Sequence, residues 1–204
     1  MTNPESSGLP PSVVEEDRLR ADLYDILAAL LARPPERDLI DRVSRLDGDE
    51  TPLGSAIGAL SRVAKASTEK AVEREFNALF IGLARGELLP YASYYMTGFL
   101  HEKPLALLRG DMSKLGIARS PDTKDPEDNI ASLCEMMAGL ILGRFGEPAD
   151  LTTQRDFYAA HIGPWAGHFF TDLEGAKGSV FYAPVGAIGR IFMEIEREAF
   201  RMGA

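Results

Sequence analysis

Apolar positions along this chain recur at helical spacing, and no segment shows a convincing strand-like alternation. Leu19, Leu23, Ile26, Leu27, Leu30 and Leu31 form a first stripe. It is opened by Ser12-Val13-Val14-Glu15 as a capping box and stopped by Pro34-Pro35, since proline lacks an amide donor and clashes with the preceding turn. Leu39, Ile40, Val43 and Leu46 predict a short second helix over 36–46, and Asp47-Gly48-Asp49 a turn. Thr51 followed by Pro52 opens a third helix carrying Leu53, Ile57, Leu60, Val63 and Ala64. Ser67 or Thr68 caps a fourth carrying Val72, Phe76, Leu79 and Phe80, ended by Gly82 and Gly86.

Beyond a Pro90 loop, Ser93 is placed to cap a short turn through Met96. Pro104 opens a helix to Leu115, with Gly116 suited to its C′ position. After a turn-rich loop from Ile117 to Asp125, Asp125 is expected to cap a long helix from Pro126 to Phe145 with Ile130, Leu133, Met137, Leu140 and Ile141 inward. Further helices are predicted over about 153–162, over about 164–173 with Trp165, Phe169 and Phe170, and over about 184–201 with Val185, Ile188, Ile191, Phe192 and Ile195 apolar. The fold class is therefore all-α: a single-domain bundle of roughly eight to ten helices over residues 12–204, preceded by a polar, Pro-rich tail (1–11) expected to be disordered.

Composition narrows the function classes. The chain has 204 residues, enough for one sizeable core, and a net charge of −9 that repels phosphate backbones; no nucleic-acid partner is expected. The N-terminus has no basic and apolar secretory signal, and the longest apolar run, Met136 to Leu142, is far short of the ~20 residues of a membrane helix. A cytoplasmic protein without stable membrane insertion is expected. The single cysteine, Cys134, lies among apolar neighbours and reads as a packed thiol.

Catalytic and cofactor signatures are missing. There is no phosphate-binding glycine loop, dinucleotide fingerprint or nucleophile elbow. A di-iron bundle needs Glu-x-x-His pairs, but the residues three before His101, His161 and His168 are Gly98, Tyr158 and Trp165. No catalytic residue, no metal and no cofactor is expected.

What remains is the stretch from Phe76 to Asn129. Leu83, Leu88, Leu89, Tyr91, Tyr94 and Tyr95 crowd in or beside a loop, where apolar groups either line a binding groove or fold back into the core. Glu127 and Asp128 fall in a predicted first helical turn, where they serve either a ligand or the helix dipole, the latter at ~0.3–1 kcal/mol each.

At these residues the chain resembles the TorD/DmsD family of molybdoenzyme-specific chaperones. The likeness lies in Phe76, Leu79, Phe80 and Gly82, then Pro90-Tyr91 and Ser93-Tyr94-Tyr95, then Asp125-Pro126-Glu127-Asp128-Asn129. Pro164-Trp165-Ala166, Phe181-Tyr182 and Met193-Glu194-Ile195-Glu196 extend it through the C-terminal half, so that it spans about 15–200. Two positions depart: Ala84 stands where a second Gly is usual, and Asn129 where a titratable His is usual. The wording from Gly86 to Tyr95 is most like members that accompany formate dehydrogenases.

The resemblance implies a TorD-like helical fold and a cytoplasmic chaperone, not an enzyme. Such a chaperone binds the twin-arginine signal peptide, the apo form, or both, of a molybdopterin-containing catalytic subunit and assists cofactor insertion before export. The client would be formate dehydrogenase-like, and the chaperone a monomer or a domain-swapped homodimer with 117–125 as hinge. The implied client-binding residues are Phe76, Leu79, Phe80, Gly82, Leu89, Pro90, Tyr91, Ser93, Tyr95, Pro126, Glu127, Asp128 and Asn129.

Magnitudes divide the labour within such a site. Exposed ion pairs give ~0–1 kcal/mol each, a buried Leu or Phe ~1.5–3 kcal/mol, and micromolar binding needs about 8 kcal/mol. Apolar burial on Leu79, Phe80, Leu89, Tyr91 and Tyr95 should then supply most affinity, with Glu127 and Asp128 setting register. Two other classes stand beside this one: an all-α nucleotide-binding or enzymatic protein with a site invisible in sequence, and a helical adaptor with Tyr91 and Tyr95 buried.

Overall fold

α7 (Ile130–Leu142) is apolar around nearly its whole circumference and is buried along almost its full length. The computed structural model describes residues 13–82, 85–119 and 125–203. The expectations for the 1–11 tail, the Ser12 cap, Leu83, Ala84 and positions 120–124 of the hinge loop lie outside the described residues. Among those described there are ten α-helices and no strand, apart from one isolated bridge.

In chain order the helices before α7 are α1 (Glu15–Ala32), α2 (Arg37–Val43), α3 (Pro52–Ala66), α4 (Glu69–Phe76), α5 (Ala92–Thr97) and α6 (Lys103–Lys114). After it come α8 (Leu151–Phe157), α9 (Ala166–Gly175) and α10 (Tyr182–Met202). α4 runs on into a π-helical turn, Asn77–Ile81, and α8 into another, Tyr158–Ile162. α1 packs along α7, and α10 is held between α9 and α3. Gly186 lets α10 approach α9 closely, since a Cβ there would stand 2.4 Å from the Glu174 amide nitrogen.

One polar knot sits inside this packing. Glu196 of α10 is 1% exposed and accepts both Arg20 Nε at 2.8 Å and a second Arg20 nitrogen at 2.9 Å, as well as the Tyr24 hydroxyl at 3.0 Å. Arg20 also donates to Asp17 and Gln154, so α1, α8 and α10 share one charge network.

Several sequence expectations need correction. Leu19 and Ile195 are exposed, because α1 turns Ala21 and Tyr24 inward instead and α10 buries Glu196 beside them. The helix expected from Pro126 begins at Ile130 with Asn129 as its cap, because the three residues before it form a turn closed by the Asn129 amide on the Pro126 carbonyl. Its far end is Leu142, not Phe145, with Gly143 left-handed. α9 starts at Ala166, after Pro164, and α10 starts at Tyr182, before Pro184. The latter shift follows from Glu75, whose carboxylate accepts the amides of Val180, Phe181 and Tyr182 and so closes the helix start from α4.

Candidate functional site

The two motif segments lie side by side. Tyr91 and Asn129 form an antiparallel bridge, Ile130 donates its amide to the Pro90 carbonyl at 2.9 Å, and Ala92 donates to the Asp128 carbonyl at 2.9 Å. Side chains lock the same junction. The Ser93 amide donates to Asp128 Oδ2 at 2.8 Å, and the Ala131 amide to Asn129 Oδ1 at 2.9 Å. Asn129 therefore caps α7. Burial and the nearby Asp125 raise the Tyr91 pKa, and the Asn129 side chain offsets part of that.

The preceding segment reaches this junction by a tight fold. Gly82 has φ +62°, a conformation that favours glycine, and the chain then doubles back so that the Leu88 amide donates to the Leu79 carbonyl at 2.8 Å. Gly86 is needed because a Cβ there would stand 2.4 Å from the Phe80 carbonyl carbon. The π-turn carries Leu79 and Phe80. Such turns recur at functional sites, and nothing in the apolar periodicity distinguishes one from ordinary helix.

The expected binding residues separate into two groups. Phe76, Leu79, Pro90, Ser93, Glu127, Asp128 and Asn129 are buried, while Phe80, Gly82, Leu89, Tyr91, Tyr95 and Pro126 are partly exposed. Four residues expected at the site, Phe76, Leu79, Ser93 and Asp128, face inward. Phe76 and Leu79 belong to the core, and Asp128, 1% exposed, is spent on holding the start of α5. Ser93 sits inside α5, with Tyr91 as the cap residue in place of the expected Ser93.

Glu127 is differently placed. It receives Arg109 Nε at 3.0 Å on one carboxylate oxygen and Arg119 Nε at 3.1 Å on the other. Burial pushes its carboxyl up, but its own amide and the two guanidiniums outweigh that and hold it below the usual range.

The apolar surface extends past the residues expected from sequence. Tyr94 is half-buried under the Arg85 guanidinium, and Met96, Phe99 and Leu100 are exposed around the left-handed Gly98 that ends α5. Phe99 is 70% exposed, more than any other aromatic side chain described among the exposed large hydrophobics. The sequence signal was there: Met96-Thr97-Gly98-Phe99-Leu100 places apolar groups around a helix-ending glycine. Tyr95 stacks at 5.4 Å from the Trp165 ring and donates to Asp172 at 2.9 Å, which ties α5 to α9. Among the described residues no three His, Cys, Asp or Glu side chains converge as a metal site requires.

Comparison with known proteins bears on what such a surface does. Residues 46–171 match the sequence profile of the family described as nitrate reductase delta subunit. The chaperone protein TorD of Vibrio atlanticus is 24% identical over 201 residues, covering 88% of this chain and 93% of the relative. The chaperone protein TorD of Photobacterium profundum is 30% identical over 143 residues, covering 60% of this chain and 64% of the relative. Among solved structures, a candidate redox enzyme maturation protein from Archaeoglobus fulgidus superposes with a TM-score of 0.56. It is 22% identical, with 86% of this chain and 94% of that one covered, a likeness of fold.

Proposed function

The chain belongs to the nitrate reductase delta subunit family, the family of the TorD chaperones, and from that premise we propose that it captures the twin-arginine leader of a molybdoenzyme catalytic subunit before the enzyme is exported. Its curated relatives are named as chaperones, and the chain is a chaperone in redox enzyme maturation rather than an enzyme. No helix among the described residues is long and apolar enough to cross a membrane, which accords with work in the cytoplasm on a client not yet exported.

The observation that carries the reading is the run of open apolar groups from Phe80 to Leu100 beside an acidic corner. Phe80, Leu89, Tyr91, Tyr94 and Tyr95 are half-buried, Met96, Phe99 and Leu100 are exposed, and Glu127 stands at the junction that holds them. A leader is a short cationic segment followed by an apolar one. Its apolar part covers the aromatic surface, where each buried side chain contributes ~1.5–3 kcal/mol, and its cationic end meets Glu127. Asp128 acts indirectly, by fixing α5.

This role asks the chain for binding alone. Holding the leader keeps the apo catalytic subunit from export while its molybdopterin cofactor is inserted. The wording from Gly86 to Tyr95 favours a formate dehydrogenase-like client, and the chaperone works as a monomer or an exchanged dimer.

Co-expression tests the reading. The tagged chain should co-purify with a molybdoenzyme catalytic subunit that carries its leader, identified by mass spectrometry, and capture should fall sharply when the leader is deleted. Equal capture of the leaderless subunit would reject leader binding.

A further inference from the structure

Two arginines of this chain already sit on the acid that a cationic leader would use. Arg109 lies on α6 and Arg119 beyond its end, and both hold Glu127, whose side chain is only 8% exposed. The arginines themselves are 51% and 49% exposed. Both guanidiniums keep direct contact with water, whereas Glu127 is fixed by its burial and by the turn that precedes α7. The partners can therefore be exchanged while the acid stays in place.

The surroundings fit a cation more generally. A cleft of about 130 Å³ opens beside Glu127, with Met112, Ile117, Met136 and Phe145 among its walls. Asp125 and Glu135 share its lining with Glu127, and among the described lining residues Arg119 is the cation. With Arg119 turned away, the cleft presents carboxylates above an apolar floor, which suits a guanidinium on an aliphatic stem.

We propose that Arg109 and Arg119 are an autoinhibitory contact: an internal arginine pair that occupies Glu127 until the arginines of a client leader displace it. The inference rests on the leader-binding reading and concerns the regulation of that same site. Exchange replaces like with like, so the leader-bound state does not leave Glu127 as an unpaired buried charge. A neutral peptide offers nothing to replace the internal pair and leaves the corner closed. An arginine-bearing leader opens it, and α6 is released from the junction at the same moment, because Arg109 is one of its ties.

Calorimetry with a synthetic peptide, two adjacent arginines followed by an apolar stretch, tests this. If the internal pair masks Glu127 nine-tenths of the time, R109Q/R119Q should bind the peptide about tenfold more tightly than the wild type. The gain should vanish in R109Q/R119Q/E127Q. The single variant R119Q, altered outside any helix, should show a smaller gain in the same direction and serves if the double variant is poorly folded. Wild-type binding with equal or weaker binding by both R109Q/R119Q and R119Q overturns the autoinhibitory contact and leaves leader capture intact. Binding by neither wild type nor variants overturns leader capture and this inference with it.

Discussion

Asp128 accepts the amide hydrogen bond of Ser93 at 2.8 Å across 35 residues of chain, and this bond joins the two segments that carry the family likeness. It makes Asp128 a strut. The other carboxylate oxygen and the Ser93 hydroxyl are buried and have no hydrogen-bond partner among the described residues, so the junction already carries some polar cost. Asp128→Ala removes the one acceptor available to the Ser93 amide and should destabilise the fold by about 1–3 kcal/mol in urea denaturation. Asp128→Asn keeps an acceptor oxygen and should cost less. Leader affinity should fall with stability in both variants, since α5 carries the tyrosines.

Arg20 and Glu196 make a second long-range prediction. Replacing Arg20 with Ala strands a carboxylate that is 1% exposed, with only the Tyr24 hydroxyl to answer it. The expected loss is about 3–5 kcal/mol, read as a shift in the denaturation midpoint. Arg20→Ala combined with Glu196→Leu, which removes both charges, should recover much of that loss. If the double variant is no more stable than Arg20→Ala, the buried charge is not the cause.

His161 predicts a pH dependence. Its ring is buried at the end of α8, 3.0 Å from Asp111 of α6, whose carboxylate is also bound by Lys114. Burial holds the imidazole below the usual histidine range, and Asp111 offsets part of this. The unfolded chain takes up a proton near pH 6.5 that the folded chain resists, so stability rises with pH across that window and declines as pH falls from 7 through 6. His161→Gln should flatten this part of the stability profile. An unchanged profile in the variant would show that another group titrates there.

The sequence made the helices legible because their apolar stripes and caps are local. Thr51 and Thr68 cap α3 and α4 as their positions predict, accepting the amides of Gly54 and Ala71. The start of α10 was not legible because Glu75 sets it from a distance by holding Val180 through Tyr182, and that of α7 because the turn closed by the Asn129 amide on Pro126 comes first and leaves Asp128 to Ala92 and Ser93. The same cause explains the site. Residue type marked Phe76, Leu79, Ser93 and Asp128, but only tertiary packing decides that they face inward. The exposure of Phe99 and Leu100 is not legible from periodicity, because a loop residue's exposure has no periodic signature.

The central claim is that an aromatic surface beside Glu127 takes the apolar part of a cationic leader, with the arginines adding selectivity more than affinity. Calorimetry with three peptides tests it most directly: the twin-arginine leader, its twin-lysine variant and a form with the apolar stretch cut short. The account predicts that the lysine change weakens binding by less than about tenfold, roughly 1.4 kcal/mol, while the shortened peptide loses measurable binding. Loss of binding on the lysine change, with the shortened peptide binding as well as the full leader, would contradict it.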